Sequence, residues 1–424
     1  MSGVSRRDYL RAACAASMIS PAVRAIEDGR TYTGRGRPLA TLTGTLGVNV
    51  VSSTPNAPYG QYDVVLAALR DLGVTWIRSR IHTGNKGQVA WINQLAANGI
   101  RTNGLIALPG QKDTPEDLVA LVAASMPSAM LSLEGPNEWN LQGGANWAAE
   151  LVEHQTRLWT AAKGSPVTRN LPIVAPALAN RQGYTDLGDR TAILDWGNIH
   201  LYTNGYAPGL RTDDTLAGQR IVSGAKPIIV TETGWHYDET WFGPQRYTPE
   251  DVAGVYAPRL LLEYVIRNVP RMAIYELFDN PAAPTTWQRR FGLLRGDGTR
   301  RPAFTSLANL NTIVTRQYRQ TGRPGQTVAF RFRGVTADLR SVLVDRADGR
   351  VLLFLWRSAA AIYDPPTRRR LPLDPVTITI DWGGSYRISR FVPSTSATAL
   401  QSSVTTRSSV ALGAELEILE IAPA

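Results

Sequence analysis

Residues 129–140 read AMLSLEGPNEWN, an apolar run of strand length that ends in a Gly-Pro turn carrying two glutamates, Glu134 and Glu138. A strand that delivers carboxylates to its own C-terminal end is the repeating unit of a barrel enzyme, so the neighbouring runs decide the fold. PIIVTET (227–233) repeats the pattern with Glu232. Six more runs complete a set of eight: TLGVNVV (45–51), TWIRSRI (75–81), IRTNGLIAL (100–108), LPIVAPA (171–177), WGNIHLYT (196–203) and RMAIYELF (271–278). Helical patterns separate them. That alternation predicts βα units and a parallel sheet, and eight units in about 265 residues predict a (β/α)8 TIM barrel over 40–315.

Local signals support the helices. YDVVLAALRDLG and QVAWINQLAANG carry apolar residues at helical spacing and end on glycine, Thr114-Pro115-Glu116 places a cap residue before a first-turn proline, and Thr248-Pro249-Glu250 starts the helix after the seventh strand. The fifth crossover, around 181–194, is short. After Leu310 the period changes to strict alternation: VAFRFRG, SVLVDRADGRVLLFLWR, TITIDW, YRISRFV and AELEILEIA, with a hairpin turn at Asp348-Gly349. This predicts a small C-terminal all-β sandwich over 325–424. The Ser/Thr-rich stretch 394–409 reads as loop and edge strand.

Composition narrows the function classes. The chain has 424 residues, 43% hydrophobic and 19% charged, which suits one large globular domain and a smaller one. Its net charge of +10 is spread without long basic runs, and no nucleic-acid motif accompanies it, so a solvated basic surface is read and no nucleic-acid partner. No window of 18 consecutive apolar residues follows the N-terminus, so no membrane span is expected. Residues 1–25 hold Arg6-Arg7-Asp8-Tyr9-Leu10, an Ala-rich apolar stretch and Val23-Arg24-Ala25. They read as a twin-arginine export signal, which places the mature protein in the periplasm or outside the cell. Cys14, the single cysteine, lies inside that segment, leaving no thiol or disulfide in the exported chain.

Asn137-Glu138 ends the fourth strand and Thr231-Glu232-Thr233-Gly234-Trp235 the seventh, 94 residues apart between the glutamates. Across a barrel mouth such a pair suits glycosidic hydrolysis, with one carboxylate attacking and the other exchanging protons with the leaving oxygen and water. Here the chain resembles the clan A glycoside hydrolases, retaining enzymes on a (β/α)8 barrel. Their acid/base follows an Asn on strand four, and their nucleophile ends strand seven. GLLRGDGTRRPAF (292–304) also resembles the entry to their eighth helix. ETGW resembles the nucleophile motif of the endo-1,3-β-glucanase family, which places Pro where this chain has His236; the exact family stays unassigned.

The resemblance implies Glu138 as acid/base, Glu232 as nucleophile and Asn137 at the sugar 2-hydroxyl, acting on a β-glycosidic polysaccharide or oligosaccharide without cofactor or metal. It implies carboxyl groups about 5 to 5.5 Å apart, with the acid held protonated beside the ionised nucleophile. Glu134 shares a strand face with Ser132 and is a rival, read as a lower, arginine-paired support. Arg78 and Arg80 share one face of strand two; the one nearer the strand end, Arg80, is favoured as the nucleophile's partner. His200 and Tyr202 are candidate mouth residues, and Glu276 reads equally as a substrate-binding group at the mouth or as a buried ion-pair partner. Trp139, Trp235, Trp241 and Trp287 follow strand ends and are candidate sugar platforms, whereas Trp76, Trp91, Trp147 and Trp159 read as core. Glu150 and His154 lie four apart on a helix without a further ligand at metal-site spacing and read as a solvated face. The alternative reading is a non-catalytic carbohydrate-binding or cell-surface protein on the same barrel.

Overall fold

The computed structural model describes residues 26–52, 58–317 and 325–424; the segment read as an export signal lies outside them. Eight parallel strands form the first sheet: β1 Leu46–Asn49, β2 Trp76–Arg80, β3 Arg101–Leu105, β4 Met130–Glu134, β5 Ile173–Val174, β6 Gly197–His200, β7 Ile228–Thr233 and β8 Met272–Ile274. They pair in the order β5-β4-β3-β2-β1-β8-β7-β6. A bridge between Val174 and Trp196, with Ala175 N–H donating to Trp196 O at 2.8 Å, joins the two ends and nearly closes the barrel.

The helices form where their signals fall. Gly73 ends helix Tyr62–Leu72 at φ 67°, a left-handed position that favours glycine. Thr114 caps Pro115–Ser125 by accepting from Asp117 N. The short fifth crossover holds a helix at Arg181–Leu187 and a 3-10 turn at Thr191–Ile193.

The second sheet is antiparallel but for one pairing. Its strands Thr327–Arg333, Leu339–Asp345, Val351–Arg357, Val376–Phe391 and Glu417–Pro423 form its body, with Gln401–Leu412 on the edge against Val376–Phe391. Thr31–Arg35 pairs with Thr327–Arg333, and Arg37–Pro38 lies parallel to Leu339–Asp345, so residues 31–38 belong to this sheet before the chain enters the barrel. The strand Val351–Arg357 shows how the two parts join. Val351, Leu353 and Leu355 belong to the sheet's own core, whereas Leu352, Phe354 and Trp356 pack into the main barrel core. Period-2 alternation has sorted one apolar strand into two cores.

Arg259, fully buried on the barrel helix Glu250–Ile266, donates to the carbonyls of Ala360, Ala414, Arg357 and Ser358 at 2.9, 2.8, 2.7 and 3.3 Å. Beside it Trp356 Nε1 donates to Glu263 Oε1 at 2.7 Å. We expect Arg259→Met to strand these carbonyls and cost on the order of 3 kcal/mol. An unchanged denaturant midpoint would show that the arginine does not anchor the β domain.

Candidate active site

The upper interior of the barrel is polar. Asn49, Arg78, Asn103, Ser132, Glu134, Asn198 and Thr231 are all buried there, where any unpaired polar atom is costly. Arg78 is the hub. Its Nε and Nη2 grip Glu134 at 2.9 and 2.7 Å, Nη2 also donates to Asn137 Oδ1 at 2.7 Å, and Nη1 donates to Glu232 Oε1 at 2.5 Å and Asn49 Oδ1 at 3.0 Å. Burial works against its charge, but Glu134 and Glu232 outweigh that and keep it firmly cationic.

Glu134 is 0% exposed and accepts further hydrogen bonds from Asn103, Asn198 and Thr231 at 2.5, 3.1 and 3.0 Å. With every approach occupied, it is a structural support, as strand alternation predicts. Gly135 follows because a Cβ there would lie 2.2 Å from Gln155 Oε1 and 2.9 Å from Pro176 N. The turn then brings up Glu138 at φ 48°, a left-handed conformation that costs a non-glycine residue. Its N–H donates to Ala177 O and its carbonyl accepts from Leu141 N, each at 3.0 Å, holding the strained residue in place.

Glu138 Oε1 meets His200 Nδ1 at 2.7 Å; the same Nδ1 lies 3.6 Å from Glu232 Oε2, and His200 Nε2 lies 3.0 Å from Thr231 Oγ1. Tyr202 donates its hydroxyl to Glu232 Oε2 at 2.8 Å. Glu138, His200 and Glu232 each offer an atom within 4.8 Å of the others. Such a trio can hold a metal ion in principle, but the guanidinium on Glu232 opposes a further cation, and the arrangement suits proton transfer better.

The protonation pattern differs from the one expected. Burial disfavours charge on His200, yet Glu232 and Glu138 overcome it and raise its pKa above the ordinary histidine value. Burial alone would raise the Glu138 carboxyl, but the hydrogen bond and charge of His200, with help from Arg78, bring it below the usual carboxylate range. An imidazole stands between the two carboxylates, and each shift favours the charged form of its group.

Three other expectations need correction. Arg78, not Arg80, reaches Glu232; Arg80 lies one strand step higher and its Nη1 approaches Gln111 Oε1 at 3.4 Å. Glu276 is 0% exposed, with Oε2 accepting from Tyr59 at 3.1 Å and Oε1 unpartnered. Burial first, then Asp279 and Glu232, push its carboxyl well above the usual range, so it is a buried acid and not an exposed substrate-binding group. Trp235 is 2% exposed and belongs to the apolar core. Trp139 is half-buried and gives its Nε1–H to Glu150 Oε2 at 2.8 Å. Trp241 and Trp287 stack at 5.2 Å, and Phe291 links Trp287 to Tyr202 through ring contacts of 5.7 and 5.8 Å. An aromatic row thus leads outward from the tyrosine on Glu232.

The supporting polar shell was missed by sequence reasoning. Asn103 in RTNGL and Asn198 in WGNIH are side-chain amides inside barrel strands, where burial demands hydrogen-bond partners, and that is the signal that could have found them. His154 also departs from expectation: it is buried, not on a solvated face.

No protein-family model and no curated protein sequence matches the chain. Solved structures do. A family 39 glycoside hydrolase from the gut symbiont Bacteroides cellulosilyticus WH2 aligns with a TM-score of 0.62 at 14% identity, over 91% of this chain and 81% of its own. A glucosidase from Croceicoccus marinus gives 0.63 at 14% identity, over 94% and 100%. A monomeric beta-xylosidase from Caulobacter crescentus CB15 gives 0.57 at 14% identity, over 92% and 98%. Coverage above nine-tenths of this chain takes in both the barrel and the β domain, so the chain has the two-part fold of these (β/α)8 glycoside hydrolases.

Proposed function

We propose that the protein is a retaining glycoside hydrolase that cleaves β-glycosidic linkages in an oligosaccharide or polysaccharide. The carrying observation is the pair Glu138 and Glu232, each of which brings one carboxylate oxygen within 4.8 Å of an oxygen of the other and of a His200 ring nitrogen. That spacing suits direct attack by one carboxylate better than the wider gap of about 6.5 to 9.5 Å that inversion needs for an intervening water.

Glu232, accepting from Arg78 and Tyr202, is the nucleophile: it forms a bond to the anomeric carbon as the bond to the leaving oxygen breaks. Glu138 passes the proton it shares with His200 to that oxygen, then takes one from the water that releases the sugar. Asn137, with its Oδ1 anchored by Arg78, is oriented to present its amide N–H to the 2-hydroxyl. The arginine pair at the N-terminus supports export of the enzyme. Its substrate would then be a carbohydrate met outside the cytoplasm.

The test is hydrolysis of a glycan panel by wild type and Glu138→Ala, with product anomers followed by proton NMR. The first-formed anomer should retain the substrate's configuration. The variant should lose most activity on natural glycans and less on substrates with activated leaving groups. An inverted first product would refute double displacement.

A pH prediction follows from the pair. His200 is raised above 6.5 and Glu138 lowered below 4.5, so between those limits they hold one proton as imidazolium and carboxylate. The Glu138 part of this stabilisation is lost as pH falls through its depressed value, and the His200 part as pH rises through its raised value. The acid step needs that proton, so the basic limb of kcat/KM should lie above pH 6.5. In His200→Gln the limb should move acidward by roughly a unit or more, towards an isolated carboxyl. A limb that stays in place would show that His200 does not share the proton.

No helix among the described residues is long and apolar enough to cross a membrane.

A further inference from the structure

A small hairpin of the β domain stands apart from its own sheet and reaches the barrel. It pairs Tyr363–Asp364 with Arg369–Arg370 and lies in the chain between the strands Val351–Arg357 and Val376–Phe391. Its neighbours are loops that leave the C-terminal ends of barrel strands. The hydroxyl of Tyr363 donates to Tyr247 O at 3.3 Å, on the loop after β7. On the loop after β6, a Cβ on Gly205 would lie 3.2 Å from both Pro365 Cγ and Tyr363 Cε1, so the hairpin packs closely there too.

Arg368, in the turn of this hairpin, makes the most extensive of these contacts. One Nη donates to Glu239 O and the other to Trp241 O, so the planar fork closes on the loop after β7 from both sides of Thr240. The guanidinium carbon also stands 3.8 Å from the centre of the Phe242 ring and 5.4 Å from that of Tyr247, a cation held against aromatic rings. Arg368 itself lies at φ 56°, a left-handed conformation that costs a non-glycine residue.

The clamped segment carries the outer end of the aromatic row. Trp241 stacks on Trp287 at 5.2 Å with ring planes 17° apart, Trp287 meets Phe291 at 5.7 Å, Phe291 meets Tyr202 at 5.8 Å, and Tyr202 holds Glu232. Trp241 Nε1 is buried without a hydrogen-bond partner, so stacking and the clamp on its own carbonyl fix the indole. Holding the β domain in place does not account for the hairpin, because Arg259 and Trp356 already fasten that domain to the helix Glu250–Ile266.

We infer that Arg368 is a positioning residue: through it the β domain sets the Trp241–Trp287 pair at the barrel mouth, and with it how tightly the enzyme holds an oligosaccharide. The inference rests on the hydrolase reading. It gives the β domain a share in substrate binding while the chemistry stays with the barrel.

The test compares wild type with Arg368→Ala, Arg368→Lys and Arg370→Ala. Arg370 is the control, because its 2.5 Å pair with Asp251 sits on the same hairpin with side chains 51% and 68% exposed, and such surface pairs contribute little. Hydrolysis of 4-nitrophenyl β-glucoside, β-xyloside and their cello-, laminari- and xylo-oligosaccharide homologues gives kcat and KM at each length. Labelling with 5-fluorotryptophan gives a ¹⁹F signal for each of the 11 tryptophans, with those of Trp241 and Trp287 assigned from Trp241→Phe and Trp287→Phe. In Arg368→Ala, KM for the oligosaccharides should rise about tenfold, a loss of about 1.4 kcal/mol, with kcat and the single-sugar KM little changed, the pattern of lost uniform binding. The Trp241 and Trp287 signals should move together. Arg368→Lys, which can reach one carbonyl but not span two, should recover part of each effect, and Arg370→Ala should show neither. Unmoved tryptophan signals or an unmoved oligosaccharide KM in Arg368→Ala would overturn the inference and leave the hydrolase reading intact. An equal loss of kcat at every length with a lower melting temperature would also overturn it, by making Arg368 a prop for the fold. If wild type cleaves no glycoside in the panel, the hydrolase reading falls and takes the inference with it.

Discussion

Replacing Glu232 by Gln should lower kcat by about four orders of magnitude or more while leaving the protein folded. A nucleophile that acts as one unit with its partners leaves only binding and orientation behind when it is removed. The fold should survive because Gln keeps an oxygen for Arg78 Nη1, which lies 2.5 Å from Glu232 Oε1, and because Glu134 still neutralises the guanidinium. The measurement is single-turnover hydrolysis of an activated aryl glycoside, with a circular-dichroism spectrum as control. Activity within tenfold of wild type would remove Glu232 from the chemistry.

The second large effect is expected at Arg78. Arg78→Met takes away the cation shared by Glu134 and Glu232, and Glu134, at 0% exposure, has no route to water. Breaking a buried ion pair by removing one partner costs about 3 to 5 kcal/mol, mostly as the penalty of the charge left behind. Activity should collapse as well, since Asn137 and Glu232 both lose the group that positions them. Adding Glu134→Gln removes the stranded charge and should restore part of the stability and none of the activity. A double-mutant cycle in urea measures that coupling. Additive losses would mean the two residues do not act as a pair.

The barrel was legible in the sequence because its signals are local. Apolar runs of strand length, glycine at helix ends and Thr-Pro-Glu at helix starts need no knowledge of distant partners, and the eight strands fall where those signals put them. Glu134 and Glu138 were separable for the same reason: strand alternation sends Glu134 inward, while the Gly-Pro turn carries Glu138 to the rim. Thr31–Arg35 was not legible as a strand, since its partner Thr327–Arg333 lies some 300 residues away and its own alternation is weak.

Within the site, the choice between Arg78 and Arg80 turned on height inside the barrel. Both point to one face, and alternation says nothing of which level the carboxylates occupy. The link between the two carboxylates was hidden because it depends on His200 standing between Glu138 and Glu232, a three-body contact drawn from the turn after β4 and from β6 and β7. His154 is different. It stands three residues after Leu151 and four before Leu158, both fully buried, so helical periodicity already put it on the inner face.

The central claim is that Glu232 becomes covalently bound to a sugar. Incubation with a panel of activated 2-deoxy-2-fluoro glycosides, followed by intact-mass and peptide mass spectrometry, tests it directly. A single fluoro-sugar adduct on Glu232 that decays on addition of an acceptor is the predicted result. An adduct on Glu138 or Glu134, or sugar binding with no adduct across the panel, would contradict it and favour a carbohydrate-binding protein on a hydrolase-like barrel.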